Sequence, residues 1–88
     1  MSEAMPQLGD SQRVRLYSAP LCYTCRQAKE FLQQQGVAYQ EIDISKDFAA
    51  ARELVAKTGA QRVPVMEVGR QIILGFDRHQ LIHLLDLS

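Results

Sequence analysis

No stretch of this sequence approaches the roughly 20 consecutive apolar residues that span a bilayer. Nor does it open on a basic segment followed by an apolar run, so the pattern of a secretory signal is not met. Net charge is missing as well: ten basic residues balance ten acidic ones, interspersed along the chain. Nucleic-acid binding usually shows as a basic stripe, and none is visible. Internal repeats and low-complexity segments are absent. What remains is 88 residues, 47% hydrophobic and 23% charged, the composition of one small globular domain without room for a second module. The expectation is a cytoplasmic monomer that engages neither membrane nor nucleic acid.

Cysteine is scarce too. Both cysteines fall in "PLCYTC", Pro20 to Cys25. In the cytoplasm thiols stay reduced, so a close pair points to catalysis or metal binding before a permanent crosslink. Zinc usually takes four ligands, and His79 with His83 gives an i, i+4 pair that could complete a set with Cys22 and Cys25. Both histidines, however, fall opposite the apolar face of their helix. Two inert core cysteines are the remaining alternative.

Residues 1–12 are polar, with Pro6 and Gly9 and no periodicity, and read as a flexible lead-in to a domain over 13–88. Val14–Tyr17 alternates and is rich in strand formers. From Tyr23 to Gln35 apolar positions recur at helical steps through Cys25, Ala28, Phe31 and Leu32, and Gly36 supplies the stop. Val37–Ile44 reads as a second strand. Ser45 or Asp47 can cap a second helix, whose Ala51, Leu54, Val55 and Thr58 share a face and which Gly59 ends. Val63–Val68 and Gln71–Leu74 are strands joined by Gly69-Arg70, the spacing of a two-residue hairpin. Asp77 can cap a last helix that turns Leu81, Ile82, Leu84 and Leu85 inward. The order βαβαββα predicts an α/β fold with a mixed four-stranded sheet flanked by three helices.

Placed where the first strand meets the first helix, Cys22 gains from unpaired backbone N–H groups and the positive end of the helix dipole. Cys25 lies one turn further on the core-facing side. An exposed Cys22 beside a shielded Cys25 is the asymmetry that two-step disulfide exchange needs. A simple thiol with a pKa near 8.5 is only about 3% thiolate at pH 7, and the thiolate is the attacking species. A two-unit shift, about 2.7 kcal/mol, would make it roughly three-quarters thiolate. A helix terminus supplies about 0.3–1 kcal/mol, at most about 2, so hydrogen bonds to the sulfur must add the remainder.

A second half of the site is expected at Val63-Pro64. Proline cannot donate to a sheet and suits a strand's first residue, and a cis bond there would turn the Val63 N–H and C=O toward an extended substrate. Gly75-Phe76-Asp77 links the last strand to the last helix. Gly75 allows close backbone approach, and the helix start beyond it can receive a carboxylate. Arg62 could grip a carboxylate, although a solvated arginine is the plainer expectation, and Tyr23 could contact a partner.

Together, "YSAPLCYTCRQAKEFL" (Tyr17–Leu32), "RVPV" (Arg62–Val65) and "ILGFD" (Ile73–Asp77) resemble the glutaredoxin-like redoxins in motif order and spacing, over about Val14–Leu87. The resemblance implies a thioredoxin fold and thiol–disulfide oxidoreductase activity, with Cys22 as nucleophile and Cys25 as resolving thiol. It places Pro64 on the family's cis-proline and Gly75 on its C-terminal substrate loop. The substrate-contacting set is then Tyr23, Thr24, Val63, Pro64, Gly75, Phe76 and Asp77, with no resident metal or cofactor. Protein or small-molecule disulfides would be substrates, and glutathione or thioredoxin reductase with NADPH the electron source. An iron–sulfur or metal carrier using the same cysteines is the alternative. Three features depart from the usual glutaredoxin pattern. Tyr23-Thr24 replaces Pro-Tyr between the cysteines, Ala19 stands where many members place a cation, and Gly75-Phe76 replaces Gly-Gly. Gly-Phe with a nearby aspartate resembles the NrdH and YruB types.

Overall fold

The computed structural model describes residues 13–85, so the lead-in expected over 1–12 lies outside the described residues. The elements follow the expected order: β1 (Val14–Ser18), α1 (Tyr23–Gln34), β2 (Gln40–Asp43), α2 (Phe48–Thr58), β3 (Val65–Val68), β4 (Gln71–Leu74) and α3 (Arg78–Leu84). One four-stranded sheet runs β2-β1-β3-β4. β1 pairs in parallel with β2 and antiparallel with β3, and β3 pairs antiparallel with β4. This is the mixed α/β architecture of the thioredoxin-like fold. No described helix is long and apolar enough to cross a membrane.

Strand alternation divides the interior in two. Leu16 lies opposite Met66 across β1 and β3, and both join Ala28, Phe31, Leu32, Ile73 and Leu81 in the core under α1 and α3. The next pair, Tyr17 and Val65, faces the other way and packs with Ala50 and Leu54 of α2. The central strands are therefore buried on both faces, which is why Leu16, Tyr17, Val65 and Met66 read as near-continuous apolar runs.

Local chemistry sets the helix ends. α1 closes on Gly36 at φ 68°, with the Gly36 N–H donating to the Gln33 C=O at 3.1 Å and the Val37 N–H to the Leu32 C=O at 2.9 Å. That is a Schellman closure, and Val37 packs against the same core as Leu32. Asp47 caps α2 through the Ala50 N–H at 3.0 Å, and Asp77 caps α3 through the Gln80 N–H at 3.1 Å. Ser45 instead donates its N–H and hydroxyl to Asp43, and these bonds, the hydroxyl's foremost, hold the Asp43 carboxyl below its ordinary range.

Several expectations need correction. β2 begins at Gln40, not Val37, because Val37 is consumed in closing α1. β3 begins at Val65, because Pro64 has no N–H to give the ladder. On α2 Val55 is exposed, and Ala50 joins Ala51 and Leu54 in the core. On α3 Ile82 is exposed. Leu81, Leu84 and Leu85 stand three and four residues apart on one stripe, and Ile82 lies about 100° around the helix from Leu81.

Ser18 is the one buried polar side chain among the described residues. Its hydroxyl donates to Glu41 Oε2 at 2.8 Å, and the same oxygen meets Lys29 Nζ at 3.1 Å. β1, β2 and α1 are thus tied together just below the loop that carries the cysteines. Ser18→Ala should cost about 1 kcal/mol, read as a melting temperature lower by about 4–8 °C. On the other face Lys57 donates to Glu67 at 2.8 Å and to the Tyr17 hydroxyl at 3.4 Å, and the Glu67 bond raises its pKa.

Candidate functional site

β1 ends at Ser18, and the chain turns through Ala19, Pro20 and Leu21 before α1 begins. Leu21 takes φ 61°, the one left-handed non-glycine among the described residues. For an L-residue that conformation costs about 1–2 kcal/mol. The turn delivers Cys22 to the N-cap of α1, with extended backbone at φ −105° and ψ 108°. A helix ordinarily recruits Ser, Thr, Asp or Asn there to accept a free N–H. Here sulfur takes that role: Cys22 Sγ accepts from the Cys25 N–H at 3.2 Å, and the Cys22 C=O accepts the first helical bond from Arg26 at 3.1 Å.

The two cysteines differ as expected. Cys22 is half-buried, whereas Cys25 is 2% exposed, under the first turn of the helix. They are joined as a disulfide, with Cα atoms 5.2 Å apart. That spacing lies in the range a disulfide spans without moving backbone, so the pair can open and close in place. Thr24 Oγ1 lies 3.6 Å from Cys22 Sγ. This hydroxyl and the Cys25 N–H both approach the one sulfur, a placement suited to hydrogen-bonding a thiolate there once the disulfide opens. Thr24→Val is expected to slow iodoacetamide alkylation of Cys22 at pH 7 by about threefold to tenfold, the equivalent of roughly 1 kcal/mol.

Beside the cysteines lies a groove of about 350 Å³. Thr24 lines it from α1, Thr58, Ala60 and Arg62 from the end of α2 and the loop beyond, Val63, Pro64 and Val65 from the start of β3, and Leu74, Gly75 and Phe76 from the end of β4 onward. The Val63–Pro64 peptide bond is cis. Gly75, at φ 80°, donates its N–H to the Pro64 C=O at 2.8 Å and so joins the two distant motifs. Phe76 is half-buried against Phe31, edge to face with centroids 5.8 Å apart.

Five of the seven expected substrate contacts, Thr24, Val63, Pro64, Gly75 and Phe76, therefore line one groove. Tyr23 and Asp77 do not. Tyr23 is 69% exposed and lies along α1, its hydroxyl accepting from Gln27 Nε2 at 3.4 Å. Asp77 spends its carboxylate on the α3 cap, which leaves that helix start with an anion already in place. Sequence reading missed Leu74, Val65, Thr58 and Ala60. The one available signal for Leu74 was its strand parity with Ile72, opposite the buried Ile73. Among the described residues no three His, Cys, Asp or Glu side chains converge to hold a metal ion, and His79 and His83 lie exposed on α3.

Residues 14–73 match the glutaredoxin family. The chain is 25% identical over 73 residues to an uncharacterized glutaredoxin-like 8.6 kDa protein in the rubredoxin operon of Clostridium pasteurianum, covering 83% of this chain and 97% of that one. It is 33% identical over 64 residues to glutaredoxin 3 of Escherichia coli K12, covering 73% and 77%. A crystal structure of a single-site mutant of a thioredoxin-like protein superposes with a TM-score of 0.82 at 32% identity, covering 86% of this chain and 97% of that one. Sequence match, fold and paired cysteines agree on thiol–disulfide redox chemistry in general, and the chain belongs to the glutaredoxin family.

Proposed function

We propose that this protein reduces disulfides in protein substrates by a dithiol relay and is itself recycled by a thioredoxin reductase using NADPH, in preference to glutathione. The Cys22 thiolate attacks a substrate disulfide, forming a Cys22–substrate bond and releasing one substrate thiolate. Cys25 then loses its proton and attacks Cys22 Sγ. The second substrate thiolate leaves, and the Cys22–Cys25 disulfide holds the two-electron oxidation. The observation that carries this reading is the division of labour at the N-cap: an accessible sulfur that accepts an N–H bond, backed by a buried partner 5.2 Å away at Cα. Val63 presents backbone that an extended substrate can pair with, and Thr24, Gly75 and Phe76 border its path. The protein works as a monomer in the cytoplasm, where reduced nicotinamide is available.

The choice of reductant rests on charge. Glutathione carries two carboxylates and an ammonium, yet among the described residues Arg62 is the one charged side chain lining the groove, and Ala19 supplies none. Insulin reduction separates the cases. With thioredoxin reductase and NADPH, turnover is expected, and with glutathione, its reductase and NADPH it should be several-fold slower. Faster turnover in the glutathione arm reassigns the donor. Silence in both arms from folded protein overturns the relay itself.

A further inference from the structure

We infer that Leu21 is a specificity residue: an apolar prong beside the nucleophile that selects protein disulfides whose cysteine has apolar neighbours. The inference rests on the exchange reading above and names its substrate class. Leu21 combines two unfavourable features. It is held in the left-handed region, which favours glycine, and the residue is 102% exposed, so it packs against none of the described residues. Neither feature is repaid by a contact in the fold. Asparagine or glycine would satisfy the turn with less strain and no exposed hydrocarbon. A leucine there gains its burial only when another molecule covers it.

The surroundings indicate what that molecule presents. Leu21 immediately precedes Cys22 in the chain, and Tyr23, which follows it, is 69% exposed, so the residues flanking the nucleophile carry exposed apolar surface and no charge. Thr24 then opens onto the groove, whose wall carries Leu74, 66% exposed, and Phe76. From Ala19 to Thr24 no lysine, arginine, aspartate or glutamate occurs. A substrate loop with charged residues beside its cysteine would lose their hydration against Leu21, whose neighbours from Ala19 to Thr24 offer no charge; Arg62 is the one charged side chain in the groove itself. A loop with apolar residues there would bury them against Leu21.

Two homodimeric peptide disulfides test this, acetyl-Ala-Leu-Cys-Phe-Ala-amide and acetyl-Ala-Glu-Cys-Lys-Ala-amide, the second also net neutral. The rate at which each oxidises the reduced wild-type protein is followed by release of peptide thiol. The apolar peptide is expected to react about tenfold faster, equivalent to roughly 1.4 kcal/mol. Leu21→Asn, which tolerates the turn, should slow the apolar peptide about fivefold and leave the charged one within about twofold, while Leu21→Met restores the preference. Alkylation of Cys22 by iodoacetamide should be the same in all three proteins. Equal wild-type rates on both peptides overturn the selectivity and leave the relay standing, as does a Leu21→Asn protein slowed equally on both. No reaction with either peptide sinks the relay and this inference together.

Discussion

Cys22→Ser should lose disulfide reduction by more than about a thousandfold, because a serine hydroxyl at neutral pH offers essentially no anion to attack sulfur. Cys25→Ser should fail differently. Its Cys22 still attacks, but nothing resolves the product, so the mixed disulfide accumulates and is visible as a mass increase that dithiothreitol removes. The asymmetry follows from position. Cys22 caps the helix with an accessible sulfur, whereas Cys25 is buried and reaches only its neighbour. Equal trapping by both variants, or by neither, would contradict the assigned roles. Folding should survive Cys22→Ser, since serine is itself a favoured N-cap and can accept the residue-25 N–H, and Cys25→Ser, a near-isosteric change, is checked by its melting temperature. Lost activity therefore reports chemistry.

Leu32→Ala should damage the fold severely, costing about 2–5 kcal/mol. Leu32 is fully buried on α1 among Leu16, Phe31 and Met66, and its C=O also accepts the Val37 N–H that closes the helix. A domain of this size is stable by only about 5–10 kcal/mol, so much of the margin goes, and the melting temperature should fall by at least about 10 °C. Urea unfolding checks it: the midpoint should drop while the slope stays constant. A loss below about 1 kcal/mol would mean that the core under α1 collapses around the gap.

Element order and helix caps were legible because they are local. Gly36, Gly59, Asp47 and Asp77 each act through backbone within five residues, and each stands where the chain suggested. The strand starts were less legible. Whether Val37 extends a strand or closes a helix depends on which partner reaches its N–H first, and Leu32 does. Ile82 and Val55 look like core residues in a hydrophobic pattern, yet only the sheet's position decides which stripe is covered.

The sequence alone determined that two sulfurs three residues apart meet at the start of a helix, since a single turn and its unpaired N–H groups fix that geometry. Tertiary structure decided the rest of the site. Pairing of β1 with β3 brings Pro64 to the end of the sheet where the cysteine loop emerges, and the Gly75 bond to Pro64 adds the Leu74 wall. It also decided that Leu21 faces solvent and Asp77 caps a helix. Contacts across forty or fifty residues depend on sheet register and burial, which short-range spacing does not encode.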